Sequence, residues 1–390
     1  MFLVDHPYVS EFLKETLRDN ALPVVKTPAA RELGLLPGTS MISEARAAAL
    51  MNETATPTVC ATSENAFGWI AEQSGFGQLA RTVELFKNKA TFRRLTRSLF
   101  PDFAFTEVET EALASFPIES MTLPCIVKPT VGFFSLGVYK VSSPEDWPET
   151  VARIESEIEH IQHIYPAEVV NLQSFLLEEC IDGEEFAVDA YFTSEGEPVI
   201  VGIWQHRFSS AEDVGDRLYS TSRALIETYL ARFEAFVGEI GKLADVKNFP
   251  LHIELREAPD GSLRPIEVNP LRFGGWCTTA DGTCKAFGLN PYVAYYKQQR
   301  PDWEALLKER GDEVYSIVVL DNSSGVRGNE VATFDYDKVL SLFSKPLELR
   351  KTDYRRYPVF GFLFVETADW NASELESILH SSLREFIERR

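Results

Sequence analysis

The 390-residue chain is too long for one small core and long enough for two or three domains of ordinary size. Its 45% hydrophobic, 12% aromatic and 25% charged content is that of a packed soluble protein and excludes disordered and fibrous classes. With 38 Lys+Arg against 59 Asp+Glu the net charge is −21, which argues against sequence-independent binding to nucleic acid or to an anionic membrane surface. Cys60, Cys125, Cys180, Cys277 and Cys284 stand singly, without CxxC spacing, and read as reduced, mostly buried thiols. Asp5 and His6 interrupt the N-terminal apolar stretch, and no run approaches the roughly 18 apolar residues of a membrane span, so a cytoplasmic location is expected.

Over residues 1–85 the apolar runs FLVD, PVVKT and PTVCA alternate with helical patterns at Glu11–Leu17 and Glu44–Met51, as in a small open α/β layer. Gly75-Phe76-Gly77-Gln78-Leu79-Ala80 matches GxGxxA, but it follows the helical ENAFGWIAEQS rather than a strand and reads as a helix C-cap and turn. Residues 85–101 carry Lys87, Lys89, Arg93, Arg94 and Arg97 with no acid. Such a run is usually a solvated face; the sharper reading turns one or two of these cations toward a phosphate. LPCIVKPTVGFFSLGVYKV is a strand with Lys128-Pro129, a loop with Gly132 and Gly137, and a second strand.

Residues 145–197 hold 15 acids and one Arg, mostly a surface charge, and include an amphipathic helix around Val151–Ile164. FLLEECIDGEEFAVDAYF reads as strand, connection at Ile181-Asp182-Gly183, and strand. VIVGIW continues a sheet, and Ala224–Leu243 is a long helix. A last α/β pattern runs through YSIVVLD, a helix at Tyr336–Phe343, PLELRKT, YPVFGFLFVET and a closing helix from Ser373.

FPLHIELREAPDGSLRPIEVNPLRFGGW is the most informative segment. Two strand-like runs flank Pro259-Asp260-Gly261, a hairpin-closing tripeptide. A turn centred on Asp260-Gly261 pairs Glu254 with Glu267 and His252 with Asn269, all on one face. Ile253, Leu255, Ile266 and Val268 would then take the core side. Opposed carboxylates repel unless a proton or cation lies between them. Two carboxylates and an amide oxygen suit hard Mg²⁺, which usually arrives with a nucleotide's phosphates. No GxxxxGK[ST] occurs, so Lys128 and the Gly132–Gly137 loop are the available phosphate holders.

These residues, in this order, resemble the ATP-grasp superfamily, and within it the carboxylate–amine ligases such as the L-amino-acid and D-alanine–D-alanine ligases. Asn88-Lys89 is similar to the family's opening Asp-Lys, and IVKPTVGFFSLGV to its second lysine and phosphate-covering loop. LLEECIDGEEF resembles the adenine-reading hinge, and HIELR…IEVNP…RFGG the metal strands and substrate loop. The resemblance implies an α/β ATP-grasp fold, α+β in its catalytic part. Its units would be an N-terminal α/β domain (1–85), a small lobe (86–180), a large lobe with the metal site (181–310) and a small C-terminal α/β unit (311–390).

The resemblance further implies that Lys89 and Lys128 contact the α- and β-phosphates of ATP under a loop containing Gly132, Ser135 and Gly137. Glu178, Glu179 and Ile181 would line the adenine, and Glu185 would bind the ribose. Glu254, Glu267 and Asn269 would hold two Mg²⁺ ions, with Mn²⁺ as a substitute. Arg272 follows Asn269 by three residues rather than the family's two, and would neutralise the transferred phosphate or the substrate carboxylate. His252, Arg256, Arg207 and Cys180 read as scaffold. The implied reaction activates a carboxylate as an acyl phosphate and joins it to an amine, releasing ADP and phosphate. Small-molecule carboxylates and amines would be its partners, and a homodimer is compatible with it. A carboxylase component or phosphotransferase of the same fold, and a regulatory ATP-binding protein without turnover, remain as alternatives.

Overall fold

The computed structural model describes residues 1–132, 137–161, 171–210, 213, 215–370 and 372–390. The chain begins with a parallel sheet in the order β3-β2-β1-β4, made of β1 (Phe2–Leu3), β2 (Val24–Val25), β3 (Met41–Ile42) and β4 (Cys60–Ala61). The intervening α1 (Glu11–Asp19) and α2 (Glu44–Glu53) each start at a serine whose hydroxyl accepts the N–H three residues on. The GxGxxA segment lies between α3 (Phe67–Gln73) and α4 (Gln78–Lys87), with Gly75 at φ +58°: it turns the chain between two helices. Asn88 then caps α5 (Lys89–Leu95), its side-chain oxygen accepting from Thr91 N at 3.0 Å. Asparagine caps a helix as well as aspartate does, so the departure at this position leaves Lys89 fixed at the helix start.

A small antiparallel sheet follows in the order β5-β8-β6-β7, from β5 (Phe105–Glu109), β6 (Cys125–Val131), β7 (Tyr139–Val141) and β8 (Asn171–Glu179). The helix α6 (Trp147–Ile161) covers it through Trp147, Val151 and Ile154. The large sheet is antiparallel in the order β13-β12-β9-β10-β11-β14-β17-β16. Its strands are β9 (Glu184–Phe192), β10 (Pro198–Arg207), β11 (Leu218–Ser222), β12 (Phe249–Glu257), β13 (Leu263–Pro270), β14 (Val314–Asp321), β16 (Pro346–Lys351) and β17 (Val359–Thr367). The strand β15 (Val331–Phe334) pairs separately with β18 (Ile387–Arg389). The long α7 (Arg223–Ala244) buries Phe233, Val237 and Ile240 in the main core with Phe186 and Phe192 of β9. Residues 311–390 therefore add three strands to the sheet that carries the acids and pack, with Leu218 of β11, a further cluster around Phe360 and Leu375. Among the described residues no helix is long and apolar enough to cross a membrane.

The two sheets are joined at Gly183, whose φ is +115°; a Cβ there would lie 1.9 Å from Glu257 O, so only glycine fits. The β12–β13 hairpin closes with a three-residue loop, Ala258 N donating to Ser262 O at 2.9 Å and Gly261 at φ +82°. Beside this loop Leu255 pairs with Pro265, one residue away from a two-residue-turn register. A bulge at Ile266 absorbs the extra residue, and beyond it Glu254 faces Glu267 and His252 faces Asn269. The same bulge corrects one expectation: Ile266 does not enter the core with Ile253 and Val268 but is half-buried on the cleft wall.

Candidate active site

One face of the large sheet carries the polar residues in rows. Glu185 on β9 stands between His206 on β10 and Arg256 on β12. Two residues further, Ala187 is beside Glu254, which faces Glu267; two further again, Asp189 is beside His252, which faces Asn269. The strand period of two puts every member of these rows on the same side. That side looks across a cleft of about 1240 Å³, including its solvent-open part, toward β6 and β8. Lys89, Lys128, Gly132, Glu178, Glu179, Ile181, Glu185, Glu254 and Glu267 all line this cleft. Gly137 follows the loop at φ +71°, and Ser135 lies outside the described residues.

The cations are held by buried acids. Arg93 forks across Glu178, Nε to Oε2 at 2.6 Å and Nη2 to Oε1 at 3.0 Å, and Lys128 Nζ sits 2.7 Å from Glu178 Oε1. Burial opposes the charge of Glu178, but Arg93 and Lys128 outweigh it and hold the carboxyl down at about 2. Both Glu178 oxygens are thus engaged with cations, and the residue orients Lys128. Lys89 Nζ is 2.8 Å from Glu267 Oε2 and donates to Gly132 O at 3.1 Å, at the base of the glycine loop. The five cations of the basic run therefore divide: Lys87, Lys89 and Arg93 are buried, while Arg94 and Arg97 are the solvated ones.

The facing carboxylates are unequal. Burial also opposes the charge of Glu267, yet Lys89 and Lys128 lower its carboxyl to about 2. Glu254 is pushed up, by burial and then by the charge of Glu267. Beside it, His252 Nδ1 bonds Asp189 Oδ1 at 2.7 Å and Nε2 lies 3.7 Å from Glu254 Oε1. Burial disfavours its charge, but these two acids raise it to about 9. Asn269 Nδ2 donates to Glu267 Oε1 at 3.2 Å, which leaves the amide oxygen as an acceptor. Two carboxylates and an amide oxygen fit a hard divalent cation whose other ligands are water and phosphate. Among the described residues no three His, Cys, Asp or Glu side chains are grouped so as to hold a metal ion.

At the hinge, Glu179 N donates to Ala104 O at 3.0 Å, and Ile181 O accepts from Arg256 Nη1 at 2.5 Å. Glu185 accepts from His206 Nδ1 at 2.8 Å and from Arg256 Nε at 2.9 Å. Arg207 is remote in function: it ties β10 to Trp370 O at 2.8 Å and to Glu376. Arg272 borders a second compartment of about 690 Å³, including its solvent-open part, with Tyr219, His252, Asn269, Thr278 and Phe362 among its walls. Asp216, Glu254 and Glu267 line both compartments, so the carboxylate pair stands at their junction.

Several residues at or behind the site, among them Asp189, Arg93, His206, Glu64 and Asp216, are not marked as site residues by the sequence. Asp189 was readable as the same face of β9 as Glu185, and Arg93 as one helical turn from Lys89. Glu64 and Asp216 carried no such signal.

Residues 121–280 match the family model of the ATP-grasp domain. The chain as a whole has the ATP-grasp fold. Among solved structures it is similar to an L-amino acid ligase from Bacillus licheniformis, at TM-score 0.68 and 19% identity, covering 100% of this chain and 98% of that one. It is also similar to a carboxyaminoimidazole ribonucleotide synthase from Aspergillus clavatus complexed with ATP, at TM-score 0.62 and 16% identity over 99% of this chain and 98% of that one. A biotin carboxylase from Campylobacter jejuni matches at TM-score 0.60 and 13% identity over 95% of this chain and 88% of that one. No curated protein sequence matches the chain.

Proposed function

We propose that the chain is an ATP-dependent, ADP-forming carboxylate–amine ligase acting on amino-acid or peptide-like substrates. The observation that carries this reading is the pair of compartments meeting at Glu254 and Glu267, one walled by Lys89, Lys128 and Gly132, the other by Arg272. ATP would occupy the first and the carboxylate substrate the second, so that the γ-phosphate faces the carboxylate across the junction. A substrate carboxylate oxygen attacks the γ-phosphorus, ADP leaves, and an acyl phosphate remains. The neutral amine then attacks the acyl carbon, phosphate leaves, and the amine gives up a proton as the amide forms.

Lys89 and Lys128 place fixed positive charge beside the phosphates, and Arg93 acts through Glu178 to keep Lys128 aimed. Arg272 orients the carboxylate by its planar fork. The lid expected over the phosphates falls on residues 133–136, which lie outside the described residues. Mg²⁺ bound by Glu254, Glu267 and Asn269 would neutralise charge on the phosphoryl oxygens. The full-length likeness to an L-amino acid ligase supports this assignment of substrate class.

The test is release of ADP from Mg·ATP with amino acids offered singly and in pairs, with mass detection of an amide product. Release that needs both a carboxylate and an amine is expected. Release that needs bicarbonate instead would move the chain to the carboxylases, and tight nucleotide binding without any release would make it a regulatory binder.

A further inference from the structure

The second compartment contains a cation whose direction its own strand does not set. Arg272 follows β13 by two residues, and Leu271 before it has φ +55°, a conformation costly for a β-carbon-bearing residue. What holds that turn comes from the N-terminal layer. Ala61 N, at the end of β4, donates to Leu271 O at 2.7 Å. Three residues on, Glu64 Oε1 accepts from Arg272 Nη2 at 2.8 Å and from Nε at 3.3 Å. The other oxygen of Glu64 pairs with Lys87 Nζ, and Lys87 also reaches Gly132 O at 3.4 Å. The Glu64 and Lys87 side chains are only 6% and 4% exposed. A single buried carboxylate thus bridges Arg272 to the lysine beside Gly132, while Glu64 itself lines neither compartment.

We infer that Glu64 is a positioning residue for the ligase reaction: together with the Ala61 amide it aims Arg272 into the second compartment and fixes Lys87 against Gly132. The inference rests on the ligase reading and adds a role for the N-terminal layer in it. It also accounts for the extra residue between Asn269 and Arg272. The left-handed Leu271 spends that residue on a bend, and the β4–Glu64 segment captures both the bend and the arginine. Without Glu64, two buried cations would face each other with no acid between them, and each would turn to other acceptors.

The experiment separates aim from charge balance. Glu64→Gln is expected to lower kcat for ADP release about 100-fold while the KM for ATP stays within about threefold, because Glu64, Lys87 and Arg272 all stand outside the lining of the nucleotide cleft. That variant can also lose stability, since it buries two unpaired cations. Glu64→Gln/Lys87→Gln restores the original net charge of the cluster, and its thermal unfolding is expected to return close to wild type with kcat still about 100-fold low. A double variant with wild-type kcat would overturn the positioning role and leave only charge balance. In an Arg272→Lys background, Glu64→Gln should cost little further; an undiminished loss there would also overturn it, since Glu64 would not be acting through Arg272. Calorimetry with Mg²⁺ and a non-hydrolysable ATP analogue keeps the two readings apart. Wild-type protein that binds no nucleotide, or binds it and releases no ADP with any amino acid, would overturn the ligase reading itself and with it this role for Glu64.

Discussion

Two clusters of buried charge sit on the same large fold and differ in what surrounds them. Around Glu178, two cations converge on one carboxylate, and Lys128 borders an open cleft. Around Asp281 and Arg350, the guanidinium spends its donors inward: Nη2 on Asp281 Oδ2 at 2.7 Å, Nε on Glu348 Oε1 at 2.5 Å and Nη1 toward Cys277 O at 3.4 Å. The faces of Phe364 and Tyr8 close over it at 4.5 Å and 6.0 Å. The acids respond oppositely. Glu178 is held at about 2, whereas burial lifts Asp281 to about 6 because one arginine shared with Glu348 does not repay its desolvation. A buried ion pair is weak evidence of stabilisation in either case. What distinguishes the Glu178 cluster is that one of its cations, Lys128, borders space that a ligand can fill.

Substitutions that should act on one cluster and not the other test this contrast. Glu267→Gln removes an acid from the junction of the compartments, and ADP formation should fall about 1,000-fold or more. Thermal unfolding should fall only modestly, since relief of the repulsion with Glu254 partly offsets the loss of the buried partner of Lys89. Turnover unchanged in this variant would sink the metal assignment. Arg350→Met should do the reverse. It leaves Asp281 buried without its cation and should cost about 3 kcal/mol in denaturant unfolding, with kcat per folded molecule at the wild-type level. A large loss of kcat at a temperature where the variant is fully folded would show that the closed cluster serves the site after all.

Much of this arrangement was legible in the sequence because strands repeat every two residues. Glu254, Glu267, His252 and Asn269 could be placed on one face from the Pro259-Asp260-Gly261 turn alone, and the pairing held although the loop has three residues. It held because the bulge at Ile266 cancels the loop's extra residue, a compensation that local pattern does not reveal and that sends Ile266 to the cleft instead of the core. The basic run showed that cations were gathered, but not which were buried, since that depends on Glu178, Glu267 and Glu64 arriving from other strands and layers. Glu64 was beyond reach for the same reason: its partner Arg272 is 208 residues away, and only the docking of the N-terminal layer brings them together.

The opposite shifts of the two acids also predict opposite slopes of stability against pH, a smaller effect than either substitution above. Glu178 drops from 4.5 to about 2 on folding, so between those values the unfolded chain holds a proton that the native protein lacks. Its stabilisation is complete above 4.5 and is lost as pH falls toward 2. Asp281 rises from 3.8 to about 6, so the native protein holds the extra proton, and its contribution is complete below 3.8 and lost as pH rises through 6. From 4.5 to 6 Asp281 still titrates while Glu178 no longer does, and one such proton changes stability by at most about 1.4 kcal/mol per pH unit. Asp281→Asn cannot titrate. Denaturant unfolding of this variant at pH steps across that window should therefore lack the downward component present in the wild type, while the acid limb below 4.5, where Glu178 acts, stays steep. Equal slopes for the two proteins between pH 4.5 and 6 would mean that Arg350 does keep Asp281 charged, and that the closed cluster is as well compensated as the open one.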